Sequence, residues 1–89
     1  MIRKSKDWCV YIVECSDGSL YTGITTELDR RISEHNNSIK GAKYTRTRRP
    51  IHLVHSEALK DRSSASKRES YIKKLSRIEK LKLITVKLY

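Results

Sequence analysis

Eighty-nine residues suffice for one compact domain with one small core, since a chain of this size buries only about 60% of the surface it exposes when unfolded. A 37% apolar share beside 34% charged residues, with five tyrosines and a tryptophan, fits a folded globule rather than a disordered tail, and no run approaches the roughly 20 apolar residues of a membrane span. Twenty Lys and Arg against ten Asp and Glu leave a formal charge of +10, more than solubility requires, so the expected partner is a polyanion, nucleic acid ahead of an anionic membrane surface.

Met1–Asp7 leads into a strand and not into a signal-peptide core, so the cytoplasm is the expected location. The run Trp8–Cys15, WCVYIVEC, is dense in β-branched and aromatic residues, and Ser-Asp-Gly-Ser separates it from a second strand over 20–25. These read as a hairpin. Cys9 and Cys15 in one strand would stand roughly 20 Å apart, against about 5.5 Å for a disulfide, so they read as small buried hydrophobes. Thr26 is placed to cap a first helix over 27–37, with Glu27 and Asp29 in its first turn and Leu28, Ile32, His35 and Ile39 at helical spacing.

Residues 38–50, SIKGAKYTRTRRP, hold Gly41, Pro50 and five basic residues without one acid, which reads as a cationic loop. Lys40, Lys43, Arg46, Arg48 and Arg49 are its candidate phosphate contacts. A third strand follows over 51–58. His52 and His55, three apart in it, read as facing opposite sides, which argues against a shared metal. Ser63 or Ser64 is the expected cap of a second helix that turns Ala65, Ile72 and Leu75 inward, and Ser76 with Glu79 forms a capping box for a shorter third helix. The expected class is α+β: a small three-stranded antiparallel sheet packed with helices, order ββαβαα, in a single domain over 1–89 with its core at about 8–83.

On a wheel of about 100° per residue, Ile32, His35 and Ile39 lie within roughly 40° of Leu28, Arg31 about 60° to one side, and Arg30 nearly opposite. The adjacent arginines are therefore unequal: Arg30 faces solvent, and Arg31 borders the buried stripe one turn before His35. The same construction sets Glu69 about 60° from Ile72, at the margin of the second helix's inward face. Hairpin loop length decides whether Tyr11 and Tyr21 share a face. A two-residue Asp17-Gly18 turn separates them, whereas a three-residue Ser16-Asp17-Gly18 loop with a left-handed Gly18 sets Tyr11 opposite Gly23 and Val13 opposite Tyr21.

Cys9-Val10-Tyr11 and Tyr21-Thr22-Gly23, followed by Arg31, His35 and Glu69, resemble the GIY-YIG nuclease superfamily over almost the whole chain, and GAKYTRTRRP is similar to its small stand-alone branch. The eponymous triplets read Cys-Val-Tyr and Tyr-Thr-Gly here, keeping both tyrosines and the second glycine. The asparagine some relatives use after the metal glutamate has no counterpart, since no asparagine follows Asn37. The resemblance implies a phosphodiesterase or endonuclease, acting on DNA ahead of RNA, with Mg²⁺ or Mn²⁺ as cofactor. Its site would consist of Tyr11 as base, Tyr21 positioning water or relaying protons, Arg31 on the phosphate, His35 one turn on, Glu69 as the metal ligand and Gly23 as the motif glycine.

Each residue alone also has a plainer role. Strand tyrosines pack, His35 fits the core stripe as a hydrogen-bonded histidine, Gly23 fits close packing, and Arg31 and Glu69 fit helix-edge ion pairs. A nucleic-acid-binding module of the same fold without turnover, and a basic subunit awaiting a protein partner with a recognition domain, are the competing readings.

Overall fold

The β-branched density of Trp8–Glu14 makes it the central strand of a three-stranded sheet, in a computed structural model that describes residues 7–86. Residues 1–6, expected to carry no signal-peptide core, lie outside these. The elements run β1 (Trp8–Glu14), β2 (Leu20–Thr25), α1 (Leu28–Asn37), α2 (Lys43–Arg46), β3 (His52–Leu59), α3 (Arg62–Lys73) and α4 (Arg77–Val86). The sheet order is β2-β1-β3, antiparallel throughout. The expected α+β class and element order stand, with the single turn α2 added inside the basic loop.

Because β1 is central, both of its faces are covered, which is why its sequence is nearly continuous in apolar residues. Val10 and Ile12 point to one side, where they pack with Ile72 of α3 and with Leu83 and Ile84 of α4. Tyr11, Val13 and Cys15 point to the other side, against Leu28 and Ile32 of α1 and against Ile51 and Tyr21. Each fully buried Val or Ile contributes about 1.5–3 kcal/mol, so two such clusters across one strand fix its register firmly. Cys9 is half-buried and Cys15 buried, and both are free thiols.

The hairpin adopts the three-residue loop. Gly18 sits at φ +84, its amide donates to the Cys15 carbonyl at 2.9 Å, and the Cys15 amide donates to the Ser19 carbonyl at 2.8 Å. Asp17 Oδ1 accepts from both the Ser19 amide, at 3.0 Å, and its hydroxyl, at 2.6 Å. Glu14 therefore pairs with Leu20, Val13 with Tyr21 and Tyr11 with Gly23, the register that sets both tyrosines and the glycine on one face.

Several local expectations give way to tertiary structure. The N-cap of α1 is Glu27, not Thr26, and its side chain makes no capping bond; instead Thr25 Oγ1 accepts from the Glu27 amide at 3.0 Å. The helix stops at Asn37 because Ser38 turns extended, which throws Ile39 out of the predicted stripe to 85% exposure. Asp61 caps α3 by accepting from the Ser64 amide at 2.8 Å, so Ser63 and Ser64 lie inside the first turn. The Ser76–Glu79 capping box forms as expected, with both reciprocal bonds made. A bulge where β3 meets Ile12 and Val13 sets His55 opposite Ile12 and His52 opposite Glu14, so the two histidines share a side after all. His52 is exposed and His55 buried, and among the described residues no three His, Cys, Asp or Glu gather as metal ligands.

The basic loop is stitched to the rest of the fold from within. Arg49 donates from Nε to the His35 carbonyl and from Nη2 to the carbonyls of Glu34 and Ser38, satisfying the C-terminal end of α1. Asn36 bridges back to Ile51, accepting from its amide at 2.8 Å and donating to its carbonyl at 3.1 Å. Arg49→Met retains the apolar stem and strands these carbonyls, so urea unfolding should report a loss of about 2 kcal/mol, in the range for hydrogen bonds from a charged donor.

Candidate active site

The site is assembled where the face covered by α1 meets the outer edge of β2. Tyr11 is 1% exposed and its ring lies over Gly23: a Cβ built on that glycine would stand 2.5 Å from the Tyr11 hydroxyl oxygen and 2.7 Å from Cζ. Only a missing side chain on β2 lets the phenol cross the strand, and its hydroxyl then meets Nε2 of the fully buried His35 at 2.7 Å. His35 reaches inward from the last turn of α1, and its Nδ1 lies 2.8 Å from Thr45 Oγ1 of α2. Tyr21, half-buried, sets its ring edge-on to the imidazole at 5.4 Å and stacks on Tyr44 at 5.9 Å.

Arg31 enters from one turn earlier on α1, its side chain 25% exposed. Nη1 donates to Glu34 Oε1 at 3.0 Å and to the Lys40 carbonyl at 2.8 Å, and the positive charge of the guanidinium is felt at the Tyr11 hydroxyl. Arg30 is exposed, so the wheel's division between the two arginines agrees with their placement. Glu69 belongs to α3, which packs across β1 and β2 from the opposite face, and its charge is felt at Tyr11. Its Oε2 pairs with Lys73 Nζ at 3.2 Å. Tyr11, Tyr21, Gly23 and His35 thus meet directly, and the charges of Arg31 on α1 and of Glu69 on the other side of the sheet reach Tyr11.

The five loop cations differ in their present partners. Lys40, Lys43 and Arg46 are exposed. Arg48 donates to Asp17 Oδ2 at 3.1 Å and to the Tyr44 carbonyl at 2.8 Å, and lies 4.0 Å over the Tyr44 ring. Arg49 is held by the carbonyls ending α1. The sequence reading missed Thr45 and Tyr44, the two loop residues that touch His35 and Tyr21. Neither belongs to a periodic pattern, and only folding of the loop onto α1 brings them there.

Burial sets the electrostatics. It pushes the Tyr11 hydroxyl up to about 12, with Arg31 opposing the rise, and lowers His35 to about 4, with Arg31 adding to the fall by charge repulsion. At neutral pH the pair is a phenol beside a neutral imidazole. Arg31 also holds the Glu34 carboxyl below its usual range.

A family model of the GIY-YIG catalytic domain matches residues 7–82. The chain belongs to the GIY-YIG family. It is 62% identical over 77 residues to a UPF0213 protein of Desulfotalea psychrophila, covering 86% of this chain and 70% of that one. It is 54% identical over 76 residues to a UPF0213 protein of Staphylococcus saprophyticus, covering 85% and 92%. Two solution NMR structures share the fold. The UPF0213 protein of Bacillus halodurans has 49% identity and a TM-score of 0.60, covering 91% of this chain and 85% of that one. A protein of E. faecalis has 41% identity and a TM-score of 0.64, covering 99% and 94%. Membership in this family of nuclease domains points to nucleic acid as the substrate class. Among the described residues no helix is long and apolar enough to cross a membrane.

Glu69, which approaches from the α3 side of the sheet, is the metal-ligand candidate of this site. A lone carboxylate with an exposed lysine as its present partner fits a hard cation that keeps most of its waters, Mg²⁺ or Mn²⁺, and does not fit an ion such as zinc that needs several protein ligands.

Gly23→Ala drives a methyl into the Tyr11 ring, so calorimetry should show a loss of about 1–3 kcal/mol, and the Tyr11–His35 contact should be displaced in spectra of the variant. Gly18→Ala is the control: nothing lies within 4 Å of its Cβ, and the left-handed backbone alone costs about 1 kcal/mol. The depressed His35 value gives a pH signature. The unfolded chain takes up the proton near 6.5 and the folded one only near 4, so the contribution is complete above 6.5 and is lost as pH falls towards 4. Urea titrations should therefore show stability falling by up to about 3 kcal/mol over that window, and His35→Asn should flatten the slope above 4.5, where glutamates begin to titrate.

Proposed function

We propose that this chain is a divalent-metal-dependent endonuclease that hydrolyses phosphodiester bonds in DNA, with Tyr11, Tyr21, Arg31, His35 and Glu69 as its site. The observation that carries the reading is the buried 2.7 Å bond between the Tyr11 hydroxyl and His35, made beside a guanidinium. A structural histidine needs no phenol and cation at its Nε2. A water-activating relay needs both.

Magnitudes decide between two routes for the proton. Forming the free Tyr11 phenolate at pH 7, about five units below its value of about 12, costs about 7 kcal/mol. Protonating His35, about three units above its value of about 4, costs about 4 kcal/mol. The relay is the cheaper route: as water attacks phosphorus, its proton passes to Tyr11 Oη while the proton of Tyr11 passes to His35 Nε2, leaving phenol and imidazolium. Tyr11 is then the intermediary and His35 the terminal acceptor. Tyr21, edge-on to the imidazole and reaching towards the surface, supports the water. The Arg31 fork turns from Glu34 to the phosphate oxygens and stabilises charge gathering there. Glu69 would hold Mg²⁺ or Mn²⁺, which supplies further neutralisation of phosphate charge when bound. The exposed Lys40, Lys43 and Arg46 supply backbone contacts, without Arg48 and Arg49.

The test is a panel of duplex, single-stranded, flapped and branched DNA, with RNA counterparts, in Mg²⁺ or Mn²⁺. Arg31→Ala should lose about 10²–10³ in kcat, and Arg30→Ala should stay within about twofold of wild type. Wild type that cuts nothing, or Glu69→Gln that cuts equally well, sinks catalysis and leaves a binding module. Neutralising Lys40, Lys43 and Arg46 should lower the slope of log affinity against log salt by about one per residue, while Arg49→Met leaves it unchanged.

A further inference from the structure

Four groups, Tyr11, His35, Thr45 and the Ala42 carbonyl, form one hydrogen-bonded line through the site, and the carbonyl end has a fixed sense. At one end stands the Tyr11 hydroxyl, with the positive charge of Arg31 near it. At the other end stands the Ala42 carbonyl, which only accepts, so the Thr45 hydroxyl at 3.0 Å donates to it. With its hydrogen committed, Thr45 Oγ1 meets His35 Nδ1 at 2.8 Å as an acceptor. Nδ1 must carry the ring hydrogen. A neutral imidazole has one, so Nε2 presents a lone pair and the Tyr11 hydroxyl donates to it at 2.7 Å.

The reversed line fails at the Ala42 end. Thr45 would donate to Nδ1 and lose its bond to the Ala42 carbonyl, and Nε2–H would donate to Tyr11. The same carbonyl accepts the amides of Thr45 and Arg46 at 3.0 and 3.1 Å, which holds it in place against the turn of α2. Thr45 is fully buried, so no water competes for its hydroxyl.

We infer that Thr45 is a positioning residue that fixes His35 as its Nδ1–H tautomer and thereby aims the Nε2 lone pair at the Tyr11 hydroxyl. Its kinetic consequence rests on the proposed nuclease reading, whereas the tautomer itself does not. The inference extends the site from the hairpin and α1 into the basic loop, and gives the segment Ala42–Thr45 a role besides charge.

The experiment pairs NMR with kinetics on the full chain. In ¹⁵N-labelled wild type at pH 7, His35 should show a pyrrole-type Nδ1 and a pyridine-type Nε2. Thr45→Val keeps the side-chain shape but removes the acceptor, so the ring should shift towards the Nε2–H form. Thr45→Ser should restore the wild-type pattern. On a cleaved substrate, Thr45→Val should lower kcat by about 10–100-fold with KM within about twofold, the scale on which partners that orient a functional histidine act, and Thr45→Ser should recover most of the rate. A wild-type His35 that is Nε2–H overturns the inference whether or not any variant folds. So does a valine variant with an unchanged tautomer. Wild type that cuts no substrate defeats the nuclease reading instead, and the nitrogen signals still decide the role of Thr45.

Discussion

The bond between Tyr11 Oη and His35 Nε2 is the constraint around which the α1 side of this fold is arranged. It joins a central strand to the last turn of a helix 24 residues away, and it has to be made with both groups out of water. A buried hydroxyl or imidazole nitrogen left without a partner costs about 1–3 kcal/mol, so the pair is worth more to the fold as a pair than either residue is alone. Three separate features serve it. The three-residue hairpin loop sets Tyr11 opposite Gly23, the bare glycine lets the ring cross β2, and the end of α1 at Asn37 leaves His35 in the last turn, where Arg49 can gather the carbonyls. A one-residue slip in the hairpin would turn Tyr11 towards α3 and leave His35 facing Val10 or Ile12.

On the opposite side of the sheet a second polar group sets α3. Arg68 forks onto Glu57 of β3 at 2.7 and 3.0 Å, and Glu57 in turn meets His55 Nε2 at 2.7 Å. Partly buried, bidentate pairing of this kind fixes the rotation of a helix more tightly than apolar contact does, because two bonds have to be satisfied at once. The cost is visible at His55 Nδ1, which is buried and has no hydrogen-bond partner among the described residues. With Arg68 turned to β3 and Ile72 into the core, the neighbouring Glu69 is carried to the margin of α3 and its charge reaches Tyr11. The catalytic candidate on this helix is thus placed by the residue before it.

What was legible in the sequence is what short-range physics decides. Strand alternation, the Asp-Gly loop, the Ser76–Glu79 box and the inequality of Arg30 and Arg31 each follow from a few neighbouring residues and a known period, and each stands in the structure. The failures have the opposite origin. Ile39 obeyed the helical period but not the helix end, which Ser38 sets by turning extended and Arg49 secures from 11 residues further along. The parity of His52 and His55 was reversed by a bulge that depends on how β3 meets β1. The basic loop looked uniform because sequence reports charge and not direction. In the fold Arg48 and Arg49 bind the protein itself, and Thr45, which carries no charge at all, reaches the imidazole.

Arg31 links the two halves of the proposed chemistry. Without a substrate its charge acts on both members of the relay, opposing the rise at Tyr11 and repelling a proton from His35. A phosphate drawn into its fork carries a negative charge to the same place. That charge offsets the repulsion felt at His35, and the offset grows as electron density gathers on the phosphate oxygens during attack. In the proposed reaction the imidazole therefore gains affinity for the proton at the stage when water releases it, and a histidine held neutral by burial would become a competent acceptor only with an anion in place. For the proposed reaction lysine would supply the charge at this position but not the planar fork that engages two phosphate oxygens at once.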